Sequence, residues 1–439
     1  MSKPELQDGL ARRLRAAQTE QRLPSVAASV FRRSEILWQD ASGFADIEEE
    51  RVTSPETQYR IGSITKTFTA VCILQLRDAG ELSLDDPLTD FIPESPHGPA
   101  LGRMLAHASG LQREPPGEIW ESMRAPSRDE LVAGTADAEQ LLAPGTWWHY
   151  SNLAYALLGE VVARKTGTGW EEALRERVLD PLGLARTTAE AEEPAARGYY
   201  VEPYSDSVRL EPEPDLGGSG ALGKLWSTVR DLAAWGSFLA TGDDRVLSAG
   251  TLEEMSHVRA MVDHERWSLA WGTGLELYRS GDHVFVGHGG AMPGHLAALV
   301  VNRKTGIGAS VLMNTSAGGR PEALALDLAK EAIEALPADP EGWRPGDAAP
   351  AEVEPLLGRW WSEGSELVFS WRDGRLEARL VDGPPGRETS YLEQLDADRW
   401  RCVEGRERGE LLRVVRAEDG VVEKMYFATY PLRREPSTF

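Results

Sequence analysis

Ser63 and Lys66 stand three residues apart in Ser63-Ile64-Thr65-Lys66, at the head of the apolar run Thr65 to Gly80. That run, TKTFTAVCILQLRDAG, predicts a buried helix with Phe68, Val71, Cys72, Ile73 and Leu76 inward and Gly80 at its end. Helical positions i and i+3 share a face, so the lysine ammonium reaches back over the serine oxygen. A serine hydroxyl is a weak nucleophile until a neighbour takes its proton, and a desolvated lysine can do so. Free N–H groups at the helix start favour negative charge developing there. The chemistry offered is acyl transfer, although S-x-x-K also arises by chance on ordinary helices.

Two downstream clusters supply the missing groups. Tyr150-Ser151-Asn152 lies between the turn Pro144-Gly145 and a helical run. A phenol whose ordinary pKa is near 10 serves as a base when a cation such as Lys66 holds its phenolate, and as a phenol it protonates a leaving group. Asn152 has donors and an acceptor, enough to orient Lys66 and a substrate amide together. His288-Gly289-Gly290-Ala291 falls in a strand-like run whose glycines admit a second backbone. The N–H of Ala291, paired with that of Ser63, would form an oxyanion hole, where one donor is typically worth about 10²- to 10³-fold in rate. His288 is expected to give the substrate a polar or cationic contact.

These residues need a frame. Leu6, Leu10, Leu14 and Ala17 mark an amphipathic first helix, followed by strand-like VAASVF and EILWQDASGFA around Arg32-Arg33-Ser34. From Asp86 to Pro203 the pattern is helix and loop. Thr228-x-x-Asp231 reads as a capping box. The stretch from Trp267 to Asn314 is strand-rich, and DLAKEAIEAL closes it as a helix. Strands at both ends and helices between imply one sheet assembled from the two termini: an α+β fold, an antiparallel sheet flanked by helices. The run 337–354, rich in proline, alanine and acid, reads as a linker between a domain at 1–336 and one at 355–439. Hairpin turns at Asp373-Gly374 and Asp419-Gly420 make the latter a small all-β barrel or sandwich.

At 439 residues with net charge −23, and with no basic run, the chain does not suit nucleic acid. No stretch of 18 apolar residues predicts a membrane span, and the first residues carry no apolar leader, so the expectation is cytoplasmic, monomeric or weakly associated. Cys72 and Cys402 fall in different domains and imply no disulfide framework. His283, His288 and His295 lack metal-ligand spacing, and neither metal nor cofactor is expected. His107 reads as structural, and His295 as a strand-surface residue or, alternatively, one that borders the pocket.

In order and approximate spacing, Ser63-x-x-Lys66, Tyr150-Ser-Asn152 and His288-Gly-Gly290 resemble the three active-site boxes of class C β-lactamases and penicillin-binding proteins. IGSITKTFTA, MLAHASGL, PGTWWHYSNLAYALLGEVV, VLDPLGLARTT and STVRDLAAW extend the similarity from about Leu23 to Leu336. The resemblance implies the serine β-lactamase-like fold, with an all-helical subdomain, and an acyl-enzyme on Ser63. Lys66 and Tyr150 would be its catalytic partners, and Asn152, His288, Gly289, Gly290 and Ala291 would line the substrate site. LLGRWW and the hairpins after it resemble the lipocalin-like domains appended to some D-aminopeptidases, esterases and thioesterases. The third box is usually Lys-Thr-Gly. Here Lys165-Thr166-Gly167 falls at a helix end and Lys304-Thr305-Gly306 at a turn, so the box is assigned to His288. The implied substrates are peptide-like: amides of D-residues, their esters, or a carrier-protein-bound thioester, with water or an amine as acceptor, the latter as in nonribosomal peptide macrocyclisation. The alternatives are a promiscuous short-chain esterase or β-lactamase, or a silent binding protein.

Overall fold

A computed structural model of the chain describes residues 3–337, 343–384 and 389–436. Two compact units divide at Ala338 and Asp339. Of the expected linker, residues 338–342 lie outside the described residues, and 343–353 carry neither helix nor strand.

The first unit is built on nine antiparallel strands: β1 (Ser25–Arg32), β2 (Glu35–Asp46), β3 (Arg51–Val52), β4 (Ala260–Met261), β5 (Leu269–Trp271), β6 (Glu276–Ser280), β7 (His283–Met292), β8 (His295–Asn302) and β9 (Ile307–Met313). Their order across the sheet is β3-β2-β1-β9-β8-β7-β6-β5-β4, so the first and last strands in sequence meet near its middle. Ser29 of β1 pairs with Ser310 of β9. Their hydroxyls lie 2.8 Å apart, each at 3.0–3.1 Å from the Val229 carbonyl, which satisfies two polar groups in a fully buried position.

β1 is buried on both faces and alternates between two cores. Val26, Ala28 and Val30 face one, with Leu6, Leu10 and Leu14 of helix α1 (Lys3–Glu20) and Leu324 and Leu328 of a C-terminal helix (Pro321–Ala335). Ala27 and Phe31 face the other, which holds helix α2 (Thr65–Asp78), helix α3 (Asn152–Thr166) and helix α4 (Val229–Thr241). There Phe68 of α2 stacks on Trp235 of α4 with ring centroids 3.8 Å apart, and the Trp235 indole donates to Thr67 Oγ1 at 2.8 Å. These two contacts fix the helix that carries the serine–lysine pair against the sheet.

One local expectation is half met. The Thr228 hydroxyl accepts from the Asp231 N–H, as a cap should. The Asp231 carboxylate is drawn away instead, accepting from the Arg186 N–H at 2.9 Å and the Thr187 hydroxyl at 3.0 Å.

The second unit is an eight-stranded antiparallel sheet wound around Trp360, Phe369, Leu376, Trp400, Leu412 and Met425. Trp361 in its first strand and Arg433 just past its last exchange both backbone hydrogen bonds, at 2.8 and 3.0 Å. That exchange brings the sheet close to a complete barrel and leaves little free edge. Cys72 and Cys402 are buried free thiols. Among the described residues no helix is long and apolar enough to cross a membrane.

Candidate active site

Ser63 sits in a single 3₁₀ turn, Gly62–Ile64, that runs directly into α2. Gly62 has φ +49°, and a Cβ there would lie 2.7 Å from the Ala291 nitrogen. A Cβ on Gly290 would come within 2.0 Å of the Ile61 carbonyl oxygen. Both positions therefore demand glycine: the missing side chains let β7 press flush against the serine turn. His288, Gly289, Gly290 and Ala291 all lie on β7, which places the third cluster beside the first.

Lys66, in the first turn of α2, is fully buried. Its ammonium donates to Ser63 Oγ at 2.9 Å and to the Leu222 carbonyl at 2.5 Å. Burial pulls the ammonium down to about 7, against a smaller upward pull from Glu114. At neutral pH a large fraction is thus the free amine, held at hydrogen-bond distance from the one hydroxyl it would deprotonate. Tyr150 hydrogen-bonds Ser63 as well. Its burial outweighs that bond and pushes the phenol above its usual range, so the resting group is a phenol and not a standing phenolate. Lys66 Nζ lies 5.1 Å from the Tyr150 ring centre and Arg113 5.2 Å from it.

Tyr150 is held by its neighbours. Ser151 caps α3 by accepting from the Ala154 N–H at 3.0 Å, and its own hydroxyl donates to the Gln112 carbonyl at 2.7 Å. His107, buried and at φ +51°, stacks on the Tyr150 ring at 4.1 Å and accepts from the Ser151 N–H at 3.0 Å. Trp271 closes the wall, edge-on to Tyr150, His107 and His288.

His288 is buried, and its Nδ1 sits 2.5 Å from the Gly289 carbonyl. Burial, with Lys66 adding to it, pulls the imidazole down to about 3, so the contact it offers is polar and neutral, not cationic. Asn152 Nδ2 donates to Glu114 Oε1 at 2.8 Å, while Asn152 Oδ1 and Glu114 Oε2 are buried without a partner. His295 does not lie on the strand surface: it is buried between Tyr59 and Trp226.

Residues 10–334 match the family described as Beta-lactamase, and residues 349–434 match a domain of unknown function, DUF7586. The chain belongs to the beta-lactamase family. Over 377 residues it is 30% identical to penicillin-binding protein 4 of Amycolatopsis lactamdurans, covering 80% of this chain and 97% of that one. Over 433 residues it is 26% identical to a D-aminopeptidase of Brucella melitensis, covering 94% and 77%. A D-stereospecific amidohydrolase from Streptomyces sp. superposes with a TM-score of 0.63 at 25% identity, over 73% of this chain and 98% of that one.

As a beta-lactamase-family serine hydrolase, the chain adds acidic groups that its motifs do not announce. Glu276 on β6 accepts from the Gly289 N–H at 3.0 Å, and burial raises its carboxyl to about 8. Glu322, at the start of the C-terminal helix, lies under the same glycine, where a Cβ would meet its Oε1 at 2.3 Å. Glu114 sits just past the family-like segment ending at Leu111. The three come from separate segments, so no spacing in the sequence links them to the site.

Proposed function

We propose that Ser63 is acylated by amides, short peptides or esters of D-configured amino acids that carry a free ammonium. The observation that carries the acylation is the fully buried Lys66 amine at 2.9 Å from Ser63 Oγ, where burial shifts it toward its neutral form. Ser63 Oγ attacks the carbonyl carbon as Lys66 takes its proton, and the N–H groups of Ser63 and Ala291 receive the oxyanion. The Tyr150 phenol donates its proton to the leaving nitrogen or oxygen as the C–N or C–O bond breaks, and recovers one from Lys66. Water, or an amine of a second substrate, then attacks the ester on Ser63 by the same route in reverse. A carrier-bound thioester would enter at the first step with a thiol as leaving group.

The D-configured class is supported by the relatives named D-aminopeptidase and D-stereospecific amidohydrolase. The ammonium is supported by Glu114, whose Oε2 is buried beside Asn152 with no partner. Arg113 and Asn152 both lie on Oε1, at 3.5 and 2.8 Å, which leaves Oε2 as the acceptor open to a substrate cation.

Intact-mass measurement after mixing with D-phenylalanine amide and its methyl ester should show an adduct that Ser63→Ala abolishes. Absence of an adduct with these and with penicillins refutes the acyl-enzyme. Glu114→Gln should lower kcat/KM for amine-bearing donors by about 10²-fold, with little effect on the N-acetylated ones. Product analysis with and without an added amine separates hydrolysis from aminolysis.

A further inference from the structure

Two tryptophans beside the site lie open to solvent, Trp147 at 62% and Trp267 at 63% exposure. They belong to different segments but share one histidine. The Trp147 ring meets the His264 ring edge-on at 5.8 Å, and the Trp267 indole N–H donates to the His264 carbonyl at 2.9 Å. Trp147 is three residues from Tyr150, and Trp267 four from Trp271, so both fall within about 10–14 Å of chain from the site wall. Trp148, next to Trp147, packs on Trp271 at 5.5 Å, which joins the exposed pair to the buried wall.

Trp267 also has φ +55°, a left-handed conformation that costs a bulky side chain energy. Its loop is braced to hold it there. The Asp263 carboxylate accepts from the Glu265 and Arg266 N–H groups and from the Ser268 hydroxyl, at 3.2, 3.0 and 2.6 Å. A glycine would fit that backbone without strain, yet the position carries the largest side chain and shows it to water.

We propose that Trp147, His264 and Trp267 form a lip that binds an aromatic ring of the acyl donor outside the Ser63–Tyr150 centre. Two indoles and an imidazole offer the edges and faces that an aromatic ring prefers over an aliphatic one of equal bulk. This inference rests on the hydrolase reading above and adds the chemistry of the group next to the reacting carbonyl.

The test compares methyl esters of D-phenylalanine, D-cyclohexylalanine and D-alanine on the full chain and on Trp147→Ala, Trp267→Gly and Trp267→Phe. The full chain should prefer the phenyl over the cyclohexyl ester by about five- to tenfold in kcat/KM, expressed in KM. Trp147→Ala and Trp267→Gly should erase that preference and leave D-alanine ester turnover within twofold, and Trp267→Phe should restore part of it. Trp267→Gly should also melt no lower than the parent, since it relieves the left-handed strain. If no ester is turned over, the hydrolase reading fails. If the D-alanine ester is turned over but the phenyl preference is missing, or survives both truncations, the lip fails. It fails too if Trp267→Gly lowers Tm and slows all three esters equally, the mark of a structural role. Preserved ester preference with altered self-association in sedimentation would make the patch an interface between copies, and would equally overturn the proposal.

Discussion

The Lys66 amine sets the pH response. Only its neutral form can accept the Ser63 proton, and it changes form at about 7. We therefore expect kcat/KM to fall tenfold per unit as pH drops below about 7, in a profile taken on the free enzyme. A profile flat to pH 5 would remove Lys66 from the base role. Glu276 leaves a different trace, in stability. Its folded pKa, about 8, lies above its ordinary 4.5, so the native state holds the proton more tightly than the unfolded chain. Its contribution is complete below 4.5 and is lost as pH rises toward about 8. Lys66 has the opposite sign: its depressed value favours the native state at high pH, and that benefit is lost as pH falls from 10.5 toward 7. Between pH 5 and 6 the buried His288 and His295, both pulled down to about 3, act against Glu276 by adding stability as pH rises, so Glu276→Gln should make the denaturation midpoint climb more steeply with pH there than in the parent.

The legible part of the site was the part that short spacings encode. Ser63 and Lys66 meet because a helix brings i and i+3 together, and Tyr150 and Asn152 follow from a cap. Glu114, Glu276 and Glu322 come from a loop, a strand and a helix far apart in the chain, and only the finished fold assembles them. The state of His288 was equally hidden, because charge depends on burial and burial depends on the neighbours Tyr150 and Trp271.

At the level of elements, the close approach of β7 to the serine turn leaves no room for a side chain at Gly62 or Gly290. Gly62→Ala must both occupy φ +49° and displace the Ala291 backbone. We expect about 1–3 kcal/mol of destabilisation, and at least a 10²-fold loss of acylation rate as the oxyanion donors move. Stopped-flow acylation beside chemical denaturation separates the two, and an unchanged rate would deny Ala291 a place at the oxyanion. Ser151→Ala removes the α3 cap and should cost about 1 kcal/mol. Because the same hydroxyl anchors the segment behind Tyr150, acylation should slow more than Tm alone would suggest. The strands and long helices were readable from their periods of 2 and 3.6. The joint between β7 and the turn was readable in part: Gly289 and Gly290 announced a close backbone and Ala291 was paired with Ser63, but nothing in the sequence marked Gly62 as the residue that Ala291 lies against.

For the whole molecule, each unit has its own core. Trp360→Ala empties a fully buried position in the second unit and should cost that unit about 3–5 kcal/mol. Calorimetry should show one transition moving while the other stays in place, and a shift of both by the same amount would mean the cores unfold as one. The first unit's sheet carries a temporal consequence as well. The Ser29–Ser310 contact at its centre joins residues 281 apart in sequence. Holding those ends together costs only slightly more than a short loop would, since closure grows with the logarithm of length. Reaching them is slower, because contacts this non-local retard folding. During synthesis, α1 and β1 emerge nearly three hundred residues ahead of β9, an interval in which an apolar hairpin is open to aggregation. The centre of the first unit's sheet is thus completed late, and a ribosome-bound fragment ending before β9 should still be protease-sensitive at β1.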